Sequence, residues 1–128
     1  TYKNLNFEFE LFNFTNNISE YFIKTELAIT RSGSSVTAEL INCNIPFISI
    51  PYPYAADSHQ EKNATYFEKK GYSILVKETE VNINLFPLIK SFYKDKKLLD
   101  KIIEKQKEHS DQKTFLKINK VIEELINE

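Results

Sequence analysis

The feature that most constrains the fold is a regular alternation of short apolar runs with helical patterns through the middle of the chain. Three runs have the length and composition of buried strands, at residues 27–30, 46–50 and 73–76. A turn and a helical pattern follow each of the first two runs, and the second helix is expected to stop at Gly71. Strands that alternate with helices over short connections form right-handed βαβ units with parallel strands. The sequence therefore predicts an α/β fold with a parallel sheet flanked by helices.

The two ends of the chain carry further elements. Alternating residues from Asn6 to Phe14 predict a half-exposed strand, and Asn16 or Asn17 suits the N-cap of a short helix after it. From Asn84 onward, apolar residues at helical spacing predict a helical tail of three helices. These are expected near 85–92, 98–103 and 115–126, with a polar break at 109–113. Because no repeat or linker interrupts the pattern, we expect one domain over residues 1–128.

Composition excludes several classes of function. Of the 128 residues, 17 are Lys or Arg and 18 are Asp or Glu, so the net charge is -1 and nothing in it favours nucleic acid. The single cysteine, Cys43, excludes an intramolecular disulfide and a cysteine-based zinc site, and we expect it to be a packing residue in a reducing compartment. With only two glycines, the chain lacks the dinucleotide fingerprint and the P-loop.

A turn at 31–35, made of Arg31 and four small residues, separates the first apolar run from its helix. Its Ser-Gly-Ser-Ser sequence lets the backbone approach a ligand closely, and the free N–H groups at the helix start, near Ser35, favour a phosphate. Glu39 lies roughly 6 Å further along the same helix face, where a carboxylate can accept hydrogen bonds from ribose hydroxyls. Together they suggest a nucleoside diphosphate. The alternative is ordinary helix capping with Glu39 in solvent.

A second polar cluster follows the second strand, between Tyr52 and Asn63, at the edge of the sheet where α/β proteins bind ligands. Asp57, His59 and Gln60 offer hydrogen bonds to hydroxyl and amide groups, as a sugar requires. Asn63 does the same and shares a helix face with Gln60. The alternative is a capped helix start with a polar surface.

Several of these stretches, taken in order, resemble one known family. They are Phe14 with its helix, Leu27 to Leu40, the Ile-Pro pairs at 45–46 and 50–51, Ala56 to Gln60, Asn63-Ala64 and Lys70-Gly71. This succession closely resembles the C-terminal domain of the MurG family. Its members are bacterial transferases that add N-acetylglucosamine (GlcNAc) from UDP-GlcNAc to lipid I in peptidoglycan synthesis. The match is strongest from Phe14 to Val76, and the helical tail is compatible with it.

The resemblance implies roles for individual residues. Thr15, just after Phe14, would hold the uracil through its backbone, and Glu39 would bind the ribose hydroxyls. The backbone of the first helical turn would face the diphosphate, and the start of the next helix would hold the GlcNAc. The predicted binding residues are therefore Phe14, Thr15, Ser34, Ser35, Val36, Glu39, His59, Gln60 and Asn63. Many family members carry threonine where this chain has Val36, so Ser35 or Thr37 would have to replace that hydroxyl.

The resemblance also implies the rest of the machinery. Family members have two Rossmann-like domains that face each other across a cleft, the GT-B architecture, and this chain resembles most of the second domain. We therefore expect a fragment that holds no catalytic residue, with the general base and the lipid I site on the N-terminal domain. A metal cofactor is not expected, because helix dipoles and backbone N–H groups would stabilise the leaving UDP. The expected location is cytoplasmic, peripheral on the inner face of the plasma membrane.

Other interpretations stay open. The chain also fits the donor-binding subunit of a two-chain GlcNAc-transferase, or a nucleotide-sugar binding module without catalysis. The apolar residues near 85–92, interleaved with lysines, either contact a membrane surface as a basic amphipathic helix or pack on their own domain.

Overall fold

The computed structural model describes residues 8, 10, 11, 16–54 and 58–127, and of residues 110–117 it describes the backbone alone. The strands are β1 (Ala28–Thr30), β2 (Phe47–Ser49) and β3 (Ser73–Leu75). The helices are α1 (Ile18–Lys24), α2 (Ser34–Asn42), α3 (His59–Lys70), α4 (Phe86–Lys94), α5 (Lys97–Lys107) and α6 (Ser110–Ile126). A 3-10 turn (Glu78–Glu80) and a π-helical turn (Val81–Leu85) precede α4.

The three strands form one parallel sheet in the order β1-β2-β3. In the register, Ile48 of β2 lies opposite Ile29 of β1 and Ile74 of β3. All three residues of β2 are buried, which fits a central strand covered on both faces. The α/β class and the parallel sheet flanked by helices are therefore confirmed, as is the helical tail.

Two hydrophobic cores lie on opposite sides of the sheet, because successive side chains of a strand point to opposite faces. Phe47 belongs to one core, which includes Leu40 and Ile41 of α2. Ile48 belongs to the other, which includes Phe92 of α4 and Ile102 of α5. Full burial of one such side chain stabilises the fold by roughly 1.5–3 kcal/mol. The helices α2 and α3 thus cover one face of the sheet, and α4 and α5 cover the other.

The buried side chain of Gln106 fastens α5 to the sheet. Its Nε2 donates to the carbonyl of Ile45 at 2.8 Å and to the carbonyl of Tyr72 at 2.9 Å. These carbonyls lie just before β2 and β3, so one side chain satisfies two backbone acceptors at the amino edge of the sheet. Its Oε1 is buried without a hydrogen-bond partner within the described residues.

The predicted stop of α3 at Gly71 is confirmed. Gly71 has a φ of 80°, and the N–H of Tyr72 donates to the carbonyl of Phe67 at 2.9 Å, which is the usual end of a helix in a left-handed residue. A Cβ atom on Gly71 would lie 3.1 Å from Cγ of Lys105 on α5. Both the backbone conformation and the close neighbour therefore favour glycine here.

The outer edge of β3 carries one further contact. The N–H of Leu75 donates to Oε2 of Glu68 on α3 at 2.6 Å. The next N–H along the chain, that of Val76, donates to Ser49 of β2 at 2.9 Å. Because N–H groups of successive residues in a strand point to opposite sides, Leu75 faces away from β2 and its donor is satisfied by a side chain instead of a strand.

Three details differ from the sequence-based expectations. The polar break before the last helix is shorter than the predicted 109–113, since α6 already begins at Ser110. The reason is that polar and acidic residues, which are typical of a break, also suit the first turn of a helix. The 3-10 and π-helical turns at 78–85 have no regular 3.6-residue period and were not predicted. Cys43 is exposed, so its assignment as a packing residue is wrong. The strand expected from Asn6 to Phe14 lies largely outside the described residues.

Candidate functional site

The carboxyl ends of the three strands meet at one edge of the sheet, because the strands are parallel. Backbone hydrogen bonds extend the sheet past the strand ends: the N–H of Ile50 donates to Thr30 at 2.7 Å, and that of Val76 donates to Ser49 at 2.9 Å. The turn before α2, the loop before α3 and the segment after β3 therefore start side by side. Parallel α/β sheets bind their ligands at this edge.

The first turn of α2 offers unused backbone donors. Gly33 is the N-cap, and its carbonyl accepts the first intrahelical bond, from the N–H of Thr37 at 3.1 Å. Among the described residues, no side-chain hydrogen bond caps this end of the helix. The N–H groups of Ser34, Ser35 and Val36 precede that bond and have no acceptor within the helix. The helix dipole makes this end of α2 favourable for an anion.

Two hydroxyl groups near this turn are placed differently. The buried hydroxyl of Thr37 donates within its own turn, where the carbonyls of Gly33 and Ser34 lie at 2.8 and 3.2 Å. Ser35 is exposed on the first turn. Of the two residues expected to replace the threonine hydroxyl missing at Val36, Ser35 is therefore the one whose side chain is available to a ligand.

Ser32 has an unusual conformation beside the same turn. Its φ is 71°, in the left-handed region that serine rarely adopts, and the residue is fully buried. Its Oγ has no hydrogen-bond partner within the described residues. Backbone strain of this kind costs roughly 1–3 kcal/mol and is concentrated at functional sites.

Glu39 lies further along α2 and is exposed, four residues after the exposed Ser35. The opposite side of the helix is buried through Leu40 and Ile41. The expected arrangement of Ser35 and Glu39 on one solvent-facing side of the helix is therefore present.

The start of α3 carries the second predicted group. Its N-cap, Ser58, has a φ of 54° and makes no side-chain cap. His59 is exposed, and Gln60 and Asn63 are half-buried. Oε1 of Gln60 accepts a hydrogen bond from the N–H of Tyr52 at 2.7 Å. This bond ties the loop after β2 to α3 and fixes the orientation of the Gln60 amide, so that its Nε2 donor is left for a ligand.

An ion pair crosses the same edge and was not predicted. A guanidinium nitrogen of Arg31 lies 2.9 Å from Oε1 of Glu78, the first residue of the 3-10 turn. The guanidinium carbon also lies 5.9 Å from the centre of the Tyr52 ring. Arg31 and Glu78 line an open cavity of about 630 Å³ whose apolar wall includes Ile50. Arg31 is the only arginine in the chain, but the sequence gives no signal that it pairs with Glu78.

Some predicted binding residues lie outside the described part of the chain. These are Phe14 and Thr15, expected at the uracil, and Asp57 of the sugar cluster. Just after the first two, Tyr21 of α1 donates to Oε2 of Glu10 at 2.8 Å, and this hydrogen bond raises the pKa of Tyr21 above its usual value. The contact connects α1 to the segment that precedes it.

The amphipathic pattern of α4 is resolved by its contacts. Phe92 is buried, and Leu85, Leu88 and Ile89 pack against the same core. Phe86 is exposed, with Nζ of Lys90 5.2 Å from its ring centre. Most of the apolar stripe therefore packs on its own domain. Within the residues described, no helix combines the length and apolar character needed to cross a bilayer, and no three His, Cys, Asp or Glu residues are placed to hold a metal ion.

A family model for the glycosyltransferase family 28 C-terminal domain matches residues 1–123. The chain belongs to this family. The family 28 domain is also similar to curated bacterial enzymes named UDP-N-acetylglucosamine–N-acetylmuramyl-(pentapeptide) pyrophosphoryl-undecaprenol N-acetylglucosamine transferase. It is 40% identical to the one from Pelagibacter ubique over 81 residues, which are 63% of this chain and 23% of that protein. It is 37% identical to the one from Carboxydothermus hydrogenoformans over 95 residues, which are 70% of this chain and 26% of that protein.

A crystal structure of MurG from Acinetobacter baumannii shares the fold of the family 28 domain. The TM-score is 0.67 at 14% sequence identity, and the match covers 85% of this chain and 32% of that one. The resemblance to the MurG C-terminal domain is thereby confirmed. The chain spans about a quarter of the length of the curated relatives it matches.

Proposed function

We propose that the family 28 domain is the donor-binding part of an inverting glycosyltransferase that moves GlcNAc from UDP-GlcNAc to lipid I in peptidoglycan synthesis. The observation that supports this best is the start of α2, where three backbone N–H groups without a cap lie at the carboxyl edge of the parallel sheet. An edge of this kind suits a diphosphate. The names of the similar bacterial enzymes give the donor and the acceptor.

In this proposal, each part of the site holds one part of the donor. The N–H groups of Ser34, Ser35 and Val36 bind the diphosphate, and the Glu39 carboxylate accepts hydrogen bonds from the ribose hydroxyls. The start of α3 binds the GlcNAc, and Nε2 of Gln60 is oriented to donate because its Oε1 is held by Tyr52. His59 and Asn63 complete the sugar site. Phe14 and Thr15 bind the uracil.

The remaining chemistry is assigned by the same proposal. The diphosphate leaves with its charge stabilised by the helix dipole of α2 and by backbone N–H groups, so the reaction needs no metal cofactor. The general base and the lipid I site belong to an acceptor domain on the N-terminal side. The enzyme works in the cytoplasm, peripheral on the inner face of the plasma membrane.

The test is donor binding by the full-length protein and its Glu39→Ala variant. Loss of hydrogen bonds to a charged group costs about 1.5–3 kcal/mol, so we expect the Kd for UDP-GlcNAc to rise by about 10- to 150-fold in calorimetry. Glu104→Ala removes an exposed carboxylate from α5 and is the matched control. An unchanged Kd for Glu39→Ala would remove Glu39 from the site.

A second measurement separates the transferase from the alternatives. With a lipid I analogue and a chelator present, the full-length protein should release UDP at its full rate. Binding of UDP-GlcNAc without UDP release would favour a non-catalytic binding module. Release only after addition of a separate membrane protein would favour a two-chain transferase.

A further inference from the structure

The contact between Arg31 and Glu78 spans the full width of the sheet at its carboxyl edge. Arg31 follows β1 directly, and Glu78 follows β3 after a short segment, so the pair crosses over the end of β2. Neighbouring strands lie about 4.8 Å apart, so the outer strands of this sheet are separated by about 9.5 Å. A guanidinium nitrogen of Arg31 and Oε1 of Glu78 lie 2.9 Å apart, so these two side chains join the segments that follow the outer strands.

The contact acts on the turn that presents the diphosphate site. Arg31 is followed by Ser32, which is strained and buried, and then by Gly33, the N-cap of α2. A strained turn persists only when its surroundings hold it in place. The structure gives Arg31 two such restraints, the Glu78 carboxylate and the face of the Tyr52 ring. The hydroxyl of Ser32 itself adds no further restraint, because its Oγ makes no hydrogen bond within the described residues.

We propose that Glu78 is a positioning residue, which holds the 31–33 turn through Arg31 so that the first N–H groups of α2 point at the donor diphosphate. The inference rests on the donor-binding function proposed above. Glu78 does not itself bind the diphosphate, because a carboxylate and a diphosphate are both anionic and repel each other. Its carboxylate acts on the affinity for the donor only through the guanidinium that it holds.

The experiment is steady-state kinetics of the full-length protein with UDP-GlcNAc and a lipid I analogue. We expect Glu78→Ala to raise the donor KM about three- to fivefold, which is the effect an exposed ion pair can supply. The acceptor KM should be unchanged. Glu78→Gln still accepts a hydrogen bond from Arg31 without the charge. Its donor KM should therefore lie between that of the unmodified protein and that of Glu78→Ala. In an Arg31→Ala background, Glu78→Ala should add nothing further.

Glu80→Ala is the matched control, because it removes the same charge from an exposed position of the same 3-10 turn. Its donor KM should equal that of the unmodified protein. An unchanged or lower donor KM for Glu78→Ala, or an equal change in the donor and acceptor KM, would overturn the positioning role. So would an effect of Glu78→Ala that persists without Arg31. Donor binding by the unmodified protein distinguishes failure of this inference from failure of the proposed function. If the unmodified protein does not bind UDP-GlcNAc at all, the proposed function itself is wrong.

Discussion

The two hydrogen bonds of Gln106 allow a quantitative test of how α5 is held on the sheet. Gln106→Met keeps nearly the same volume but removes the donor that Ile45 and Tyr72 share. Each bond contributes about 0.5–1.5 kcal/mol net, so the loss is about 1–3 kcal/mol. The same substitution also removes a buried oxygen without a partner in the described part of the chain, which returns about 1 kcal/mol. The expected balance is a destabilisation of about 1 kcal/mol, the middle of a range of about 0–2 kcal/mol.

Hydrogen exchange of the full-length protein, followed by mass spectrometry, measures this loss locally. A fall of about 1 kcal/mol in the opening free energy should make the amides of α5 exchange about fivefold faster, with about 30-fold as the upper limit at about 2 kcal/mol. Lys107→Met is the control, because it introduces the same side chain at the neighbouring exposed position. It should leave exchange in α5 nearly unchanged.

A second variant tests whether the N–H donor of Gln106 is the group that holds α5 on the sheet. Gln106→Glu keeps the shape, but an ionised carboxylate cannot donate and brings further acceptors against two carbonyls. Its exchange should therefore be faster than that of Gln106→Met. If Gln106→Met behaves like Lys107→Met, or if the glutamate is tolerated better than the methionine, these hydrogen bonds do not hold α5 on the sheet.

Two further predictions concern the carboxyl-edge loop and the end of α3. Gly71→Ala should destabilise the domain by about 1–2 kcal/mol, because φ is 80° there and the new Cβ meets Lys105. Thermal unfolding measures this loss, and Lys69→Ala, at an exposed position of the last turn of α3, is the control that should change the Tm little. Gln60→Glu keeps an acceptor for the N–H of Tyr52, so this amide should stay protected from hydrogen exchange, whereas in Gln60→Ala it should lose its protection. Both variants should weaken UDP-GlcNAc binding. Equal protection of the Tyr52 amide in the two variants would contradict the loop contact.

The strands and helices of the middle of the chain were predictable because local pattern and tertiary packing agree there. Phe47 and Ile48 belong to a mostly apolar run, and the structure buries both, on opposite faces. Gly71 stops α3 because its left-handed conformation is a property of one residue. The π-helical turn before α4 was not predictable, since its hydrogen-bond pattern leaves no period in the sequence.

The candidate site was predictable in part. The start of α2 and the exposed Glu39 follow from residue types at fixed spacing along one helix. The pairing of Arg31 with Glu78 joins positions 47 residues apart, and no local pattern encodes it. The exposure of Cys43 was not predictable for a similar reason. Cys43 lies at the end of α2, and whether a residue there is buried depends on how the following segment packs, which no local pattern shows.

The Glu68 side chain has a consequence for how this sheet meets other chains. An outer strand with free N–H groups is a template on which a foreign strand can add, and proteins guard against this. At Leu75 that donor is already taken by an anionic group from the adjoining helix. Any approaching strand would have to displace a charged competitor, so β3 is a poor starting point for aggregation, and lengthening of the sheet is disfavoured on this side.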